Sequence, residues 1–206
     1  MDIKNDINTE HAILEAAEAL FLEKGFALTS TTEIAKKVGC NQAMVHYYFR
    51  TKDRLFTAIF EKKIRLFVSI IHQIENEPLG FEEKLKRKIE AHFEILRANP
   101  KLPFLIINEF NTNPQSIFIL KERLQELPLQ IIQNIEKELH DEIQKGNIRN
   151  ISFFDLIITM VSLNITLFLA SPVITAIGNM STAEFDVFLN HRKQENVRII
   201  LSSLKP

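Results

Sequence analysis

The segment Ser30–Phe49, STTEIAKKVGCNQAMVHYYF, carries the pattern from which the rest of the chain can be placed. Its spacing predicts two short helices crossing steeply around a tight turn. Ala35 falls midway along the first helix, where crossing backbones need a side chain no larger than methyl. Gly39 comes four residues later, where the chain must turn sharply and a positive φ is least strained at glycine. Val45 comes six residues further on, placed to point back into the core. Ser30 and Glu33 form an S-x-x-E capping box, and Asn41 can cap the second helix with its side-chain oxygen.

On that second helix Val45 and Phe49 share the buried side at i, i+4 spacing, which leaves Gln42, Ala43, His46 and Tyr47 towards solvent. Such a face suits a DNA major groove. Glutamine can bond an adenine edge through two hydrogen bonds, and Ala43 or Met44 can touch a thymine methyl. Local charge agrees. Net charge over the 206 residues is −1, so no global basic field exists. Residues 1–35 hold Lys4 and Lys24 against seven acids, whereas residues 36–65 hold eight Lys/Arg against Asp53 and Glu61. That local excess of six cations can contact several phosphates.

The segments TSTTEIAKKVG (29–39) and MVHYYFRTKDRLF (44–56), with Gly25-Phe26 ahead of them, resemble the DNA-binding domain of TetR-family (AcrR-like) transcriptional regulators. The resemblance covers residues 9–60 and is specific as a set. It implies a homodimer that binds a palindromic double-stranded operator and releases it, as a repressor, when a small and largely apolar ligand enters the C-terminal domain. It implies phosphate contacts from Thr31, His46, Tyr47, Tyr48 and Lys52, and base-edge contacts from Thr32, Gln42, Ala43 and Met44. Arg50 is a further candidate phosphate contact. His46 stands where the family has tyrosine, and Cys40-Asn41-Gln42 replaces the more frequent Val-Ser-x, so the operator sequence is not inherited with the fold.

Other readings stay open on the residues themselves. Tyr48 and Phe49 could be core aromatics, His46 an ordinary surface histidine, and Lys36-Lys37 a solvated face. Cys40 is the single cysteine, which excludes an internal disulfide and fits a reducing cytoplasm. A family member acting as activator, or a helical small-molecule or partner-binding module that no longer reads DNA, would share the same helices.

Few glycines and long runs of Ile, Leu, Glu and Lys predict an all-α chain of about nine helices. The expected division is a helix-turn-helix domain over 1–52 and a ligand-binding and dimerisation domain over 53–206. Helix 1 is expected over 9–24, and a long fourth helix over 52–74 would join the reading head to the C-terminal helices. The next helix is expected over 81–98. Pro100, Pro103, Pro114 and Pro128 divide 99–128 into short helices and turns, ahead of a helix over 129–145. Ser152–Asp155 starts another helix, and Ser181 with Glu184 caps the last.

Residues 156–183 contain no charged side chain. A membrane span is disfavoured there by Asn164, by Pro172 and by an apolar core, 156–170, too short to cross comfortably. A buried helix apolar on more than one face instead suggests a dimer interface with the last helix, through Leu163, Leu167, Phe185, Leu189, Val197 and Ile200. Sixteen phenylalanines and no tryptophan make an apolar effector cavity conceivable, with Phe67, His92, Phe93, Asn108 and Phe110 as candidate lining and simple core as the alternative. The six histidines lack metal-ligand spacing, and no catalytic motif or cofactor loop is legible, so neither enzyme, metal nor cofactor is expected. The N-terminus lacks the basic-then-apolar pattern of a secretory signal.

Overall fold

A computed structural model describes residues 3–124 and 129–206. Among them there are eleven helices and no strand, against the expected nine. They are α1 (Ile3–Lys24), α2 (Thr31–Val38), α3 (Gln42–Phe49), α4 (Lys52–Glu75), α5 (Phe81–Ala98), α6 (Leu102–Thr112), α7 (Pro114–Leu124), α8 (Leu129–Gln144), α9 (Phe153–Leu169), α10 (Ser171–Gly178) and α11 (Thr182–Ser203).

The differences from expectation have local causes. α1 starts at Ile3, ahead of the expected Thr9. Pro103 and Pro114 lie in the first turns of α6 and α7, where a missing N–H costs nothing, so prolines open these helices rather than break them. Pro172 does the same for α10. Pro128 lies outside the described residues.

The chain forms two compact units, Met1–Arg65 with Phe104–Leu127, and Leu66–Pro103 with Pro128–Pro206. The expected boundary at residue 52 falls inside the first unit, because Leu55, Phe56 and Ile59 of α4 complete its core. α1 supplies Ile13, Ala17 and Phe21 at i, i+4, i+8. Ile34 and Ala35 of α2, Val45 and Phe49 of α3, and Leu105 of α6 close the same cluster. Phe56 is the aromatic hub, edge-on to Phe21, Phe26 and Phe110 at 5.9, 5.3 and 6.2 Å. Glu109 of α6 is buried and accepts from Asn113 Nδ2 (2.8 Å) and Ser116 Oγ (2.9 Å). Asn113 Nδ2 also donates to Asp53 Oδ1 at 2.5 Å, tying the α6–α7 corner to the first turn of α4.

In the second unit Leu85, Ile89, Phe93 and Leu96 form one stripe of α5. They pack against Leu156, Met160, Leu167 and Phe168 of α9 and Leu189, Val197 and Ile200 of α11. The helices are pinned by buried amides. Asn164 Nδ2 donates to Ile89 O (3.0 Å) and lies 3.1 Å from His92 Nδ1, while Asn196 Nδ2 donates to Asn164 Oδ1 (2.9 Å) and Leu163 O (3.2 Å). Two fully buried asparagines are tolerated here because each is hydrogen-bonded. Among the described residues no single helix is long and apolar enough to cross a membrane; α9 and α10 reach that length and composition only together, bent by 57°.

Candidate nucleic-acid interface

The geometry of α2 and α3 is set at their ends. Ser30 Oγ accepts from Glu33 N (3.2 Å) while Ser30 N donates to Glu33 Oε2 (2.9 Å), a reciprocal capping box. The Lys24 ammonium bonded to Glu33, reinforced by Ser30, lowers the Glu33 carboxyl to about 2. Gly39 ends α2 at φ +81°, its N–H bonded to Ala35 O (3.0 Å). No atom would meet a Cβ at Gly39, so the left-handed backbone alone accounts for glycine there. Asn41 Oδ1 then accepts from Met44 N (3.0 Å) and starts α3.

α3 buries Val45 and Phe49 and exposes Gln42, Ala43, His46 and Tyr47, the last at 63 %. Thr32 on α2 is exposed as well; Thr31, Met44, Tyr48 and Lys52 are half-buried. Gln42 Nε2 donates to Thr31 Oγ1 (3.0 Å), linking the first residues of the two helices. His46 Nδ1 donates to the carbonyl of Arg50 (3.0 Å), and Arg50 ends α3 at φ +61°, a strained value for a side chain of that size. Tyr47 and Tyr48 stand edge to face at 5.1 Å.

Lys52, expected on a phosphate, turns its ammonium to the α1–α2 turn. Its ammonium donates to Phe26 O (2.9 Å) and Thr29 O (3.0 Å) and lies 4.2 Å from the Phe26 ring centroid. It thereby fastens the α1–α2 turn to α4. Thr29 is buried in the same turn and donates to Gly25 O (2.8 Å). A lysine three residues beyond Phe49 carries no local sequence signal for this.

The basic character of the region also divides. Lys63 pairs with Glu18 (2.8 Å), Arg65 with Glu61 (2.7 Å), and Lys62 Nζ lies 3.0 Å from His11 Nε2. Among the described residues Lys36, Lys37, Arg50 and Arg54 are exposed and form no ion pair. These four, together with Lys52 on its two carbonyls, carry the charge that no carboxylate among the described residues neutralises beside α2 and α3.

Residues 13–59 match the family described as "Bacterial regulatory proteins, tetR family". They are a TetR-family domain. The chain is 25 % identical over 137 residues to the "Fatty acid metabolism regulator protein" of Bacillus subtilis (strain 168), covering 66 % of this chain and 69 % of that one. In fold it resembles the Bacillus subtilis transcriptional regulator FadR, solved with stearoyl-CoA. That match has a TM-score of 0.72 and 18 % identity, and covers 94 % of this chain and 98 % of FadR. A "putative fatty acid metabolism regulator" of Clostridium perfringens superposes with a TM-score of 0.71 at 22 % identity, over 95 % of this chain and 99 % of that one. Residues 13–59 thus carry a TetR-family DNA-binding domain, in a chain whose fold is that of these solved regulators.

The remaining candidate residues divide between core and surface. Leu167, Leu189, Val197 and Ile200 are buried within the protomer; Leu163 and Phe185 are half-buried. The large apolar residues of α9 and α11 that stay exposed are Phe154, Ile158, Leu169, Val187 and Ile199. Of the cavity candidates, Phe93 is fully buried core, edge-on to Phe168 at 5.3 Å. Phe67 lies 5.4 Å from the half-buried His92 ring. Burial lowers the His92 imidazole to about 4. In the first unit Phe110 packs on Phe56 and Phe60, and Asn108 is exposed. Cys40 is a half-buried free thiol packed against the first core.

Proposed function

We propose that this chain is a homodimeric cytoplasmic repressor that binds a palindromic operator and leaves it when a largely apolar effector binds. The observation that carries the DNA side is the face of α3: Gln42, Ala43, His46 and Tyr47 exposed beside Lys36, Lys37, Arg50 and Arg54, none of which is neutralised by a carboxylate. On this reading residues 1–52 form the reading head, with Thr31, His46, Tyr47 and Tyr48 on phosphates and Thr32, Gln42, Ala43 and Met44 at base edges. Lys52 serves the interface from behind, through the turn it holds.

Residues 53–206 serve dimerisation and effector binding. A palindromic site demands a two-fold protein. The exposed Ile158 and Leu169 of α9 with Val187 and Ile199 of α11 are the proposed dimer face, in place of the buried positions on the same helices. The relatives point to the effector class: one is a fatty acid metabolism regulator and a structural neighbour holds stearoyl-CoA, so a long-chain acyl-CoA is the first ligand to test. Binding would tilt α4 and take the two heads out of register with successive major grooves, about 34–36 Å apart. Regulation here is by differential binding, not catalysis.

A gel shift tests the reading. Gln42→Ala and Tyr47→Ala should weaken operator binding while the dimer stays intact in size-exclusion chromatography, and stearoyl-CoA should release the wild-type complex. Unchanged affinity in both variants contradicts the DNA-contact assignment. A complex indifferent to acyl-CoA contradicts the effector class alone.

A further inference from the structure

Thr31 and Gln42 are the first residues of α2 and α3, and each helix start is fixed by its own cap. Ser30 holds the first turn of α2 through Glu33 N, and Asn41 holds that of α3 through Met44 N. The two side chains therefore project from anchored backbone, and Gln42 Nε2 donates to Thr31 Oγ1 at 3.0 Å. A carboxamide has two N–H donors and one carbonyl oxygen. A two-bond contact with adenine uses the carbonyl, to accept from N6, and one N–H, to donate to N7. The second N–H is then the spare one, and a donor to Thr31 spends that spare hydrogen.

We propose that Thr31 is a specificity-determining residue of the operator interface, its hydroxyl fixing the orientation of the Gln42 carboxamide so that oxygen and N–H are presented in the order adenine requires. The proposal rests on the reading of Gln42 as a base contact. The bond has two physical effects. Holding the amide before DNA arrives removes part of the entropy cost of freezing a long side chain on binding. With its own proton donated to a phosphate, the Thr31 oxygen is left as an acceptor only, so the bond also opposes the half-turn of the amide that exchanges O for NH₂. A turned amide would set an N–H against adenine's N6 amino group and its oxygen against the N7 acceptor, losing both bonds. Thr31 thus acts through Gln42, and its oxygen can still donate its own proton to a phosphate.

The test uses the full-length protein and duplexes recovered by the wild type from random DNA, with each base pair of a half-site then replaced by the other three. Affinities are measured by fluorescence anisotropy at one salt concentration for wild type, Thr31→Val, Thr31→Ser, Gln42→Ala and the Thr31→Val/Gln42→Ala double variant. Gln42→Ala should erase discrimination of roughly tenfold at one base pair. Thr31→Val should reduce that same discrimination by roughly three- to tenfold, and Thr31→Ser, which keeps the hydroxyl, should retain it. The double variant should match Gln42→Ala at that position, since the two residues act as one unit. If Thr31→Val weakens every duplex alike, or leaves all of them unchanged, the proposal is overturned and Thr31 has no part in specificity. If Gln42→Ala leaves every base preference intact, the base contact itself fails, and the proposal with it. Thermal melting of Thr31→Ser and Thr31→Val guards against loss of fold.

Discussion

His92 ties the stability of the second unit to pH. Burial lowers its imidazole from 6.5 to about 4, and its Nδ1 lies 3.1 Å from the Asn164 amide. Above about pH 6.5 neither the folded nor the unfolded chain carries a proton there, and the contribution is complete. Between 6.5 and about 4 the unfolded chain takes up the proton and the native one does not, so stability falls as pH falls and levels off below. By pH 5 the loss should be about 2 kcal/mol, read as a lower urea midpoint than at pH 7. His92→Gln keeps a hydrogen-bond acceptor and removes the titration, so its midpoint should fall much less over that interval; a fall equal to wild type contradicts the assignment. Nothing in the sequence marked His92 as buried against Asn164. The two lie 72 positions apart, and only the packing of α5 on α9 joins them.

The turn between α1 and α2 depends on a residue of α4. The Lys52 ammonium satisfies two carbonyls and covers the Phe26 ring, so Lys52→Met should lower stability by about 2 kcal/mol in thermal or urea unfolding. The salt dependence of DNA binding separates this role from a phosphate contact. Loss of one phosphate contact would reduce the log–log salt slope by about 0.9, whereas loss of the clamp leaves the slope unchanged. Unaltered stability with a reduced slope would return Lys52 to the phosphates.

How far each helix could be read in the sequence depends on the range of the interactions that define it. Helices α2 and α3 could be placed because their caps, Ser30, Gly39 and Asn41, lie within a few residues of what they cap. α5 and α11 were likewise bounded by local signals. The faces of α9 and α11 were not legible, because an apolar residue looks the same in sequence whether a protomer's own core or a partner covers it. Thus Leu167, Leu189, Val197 and Ile200 read as interface and proved to be core. Gln42 and Tyr47, by contrast, are exposed because Val45 and Phe49 hold the opposite face of a two-turn helix, a constraint the spacing already contains.

For the whole molecule the decisive fact is that charge is local. A chain of net charge −1 has no general attraction to nucleic acid, yet around α3 Lys36, Lys37, Arg50 and Arg54 form no ion pair among the described residues. Binding should therefore be both salt-sensitive and confined to one face. The first unit extends well past the reading head to include α6 and α7, with Asn113 bonded to Asp53 at the start of α4.

Selection of bound sequences from random double-stranded DNA by the full-length protein puts symmetric operator reading to its sharpest test. A dimeric TetR-family reader predicts one enriched inverted repeat, its half-sites centred about one helical turn (roughly 10 base pairs) or a multiple apart, with symmetric protection in a footprint. A pool that stays unenriched, or converges on a single half-site without symmetry, would contradict it.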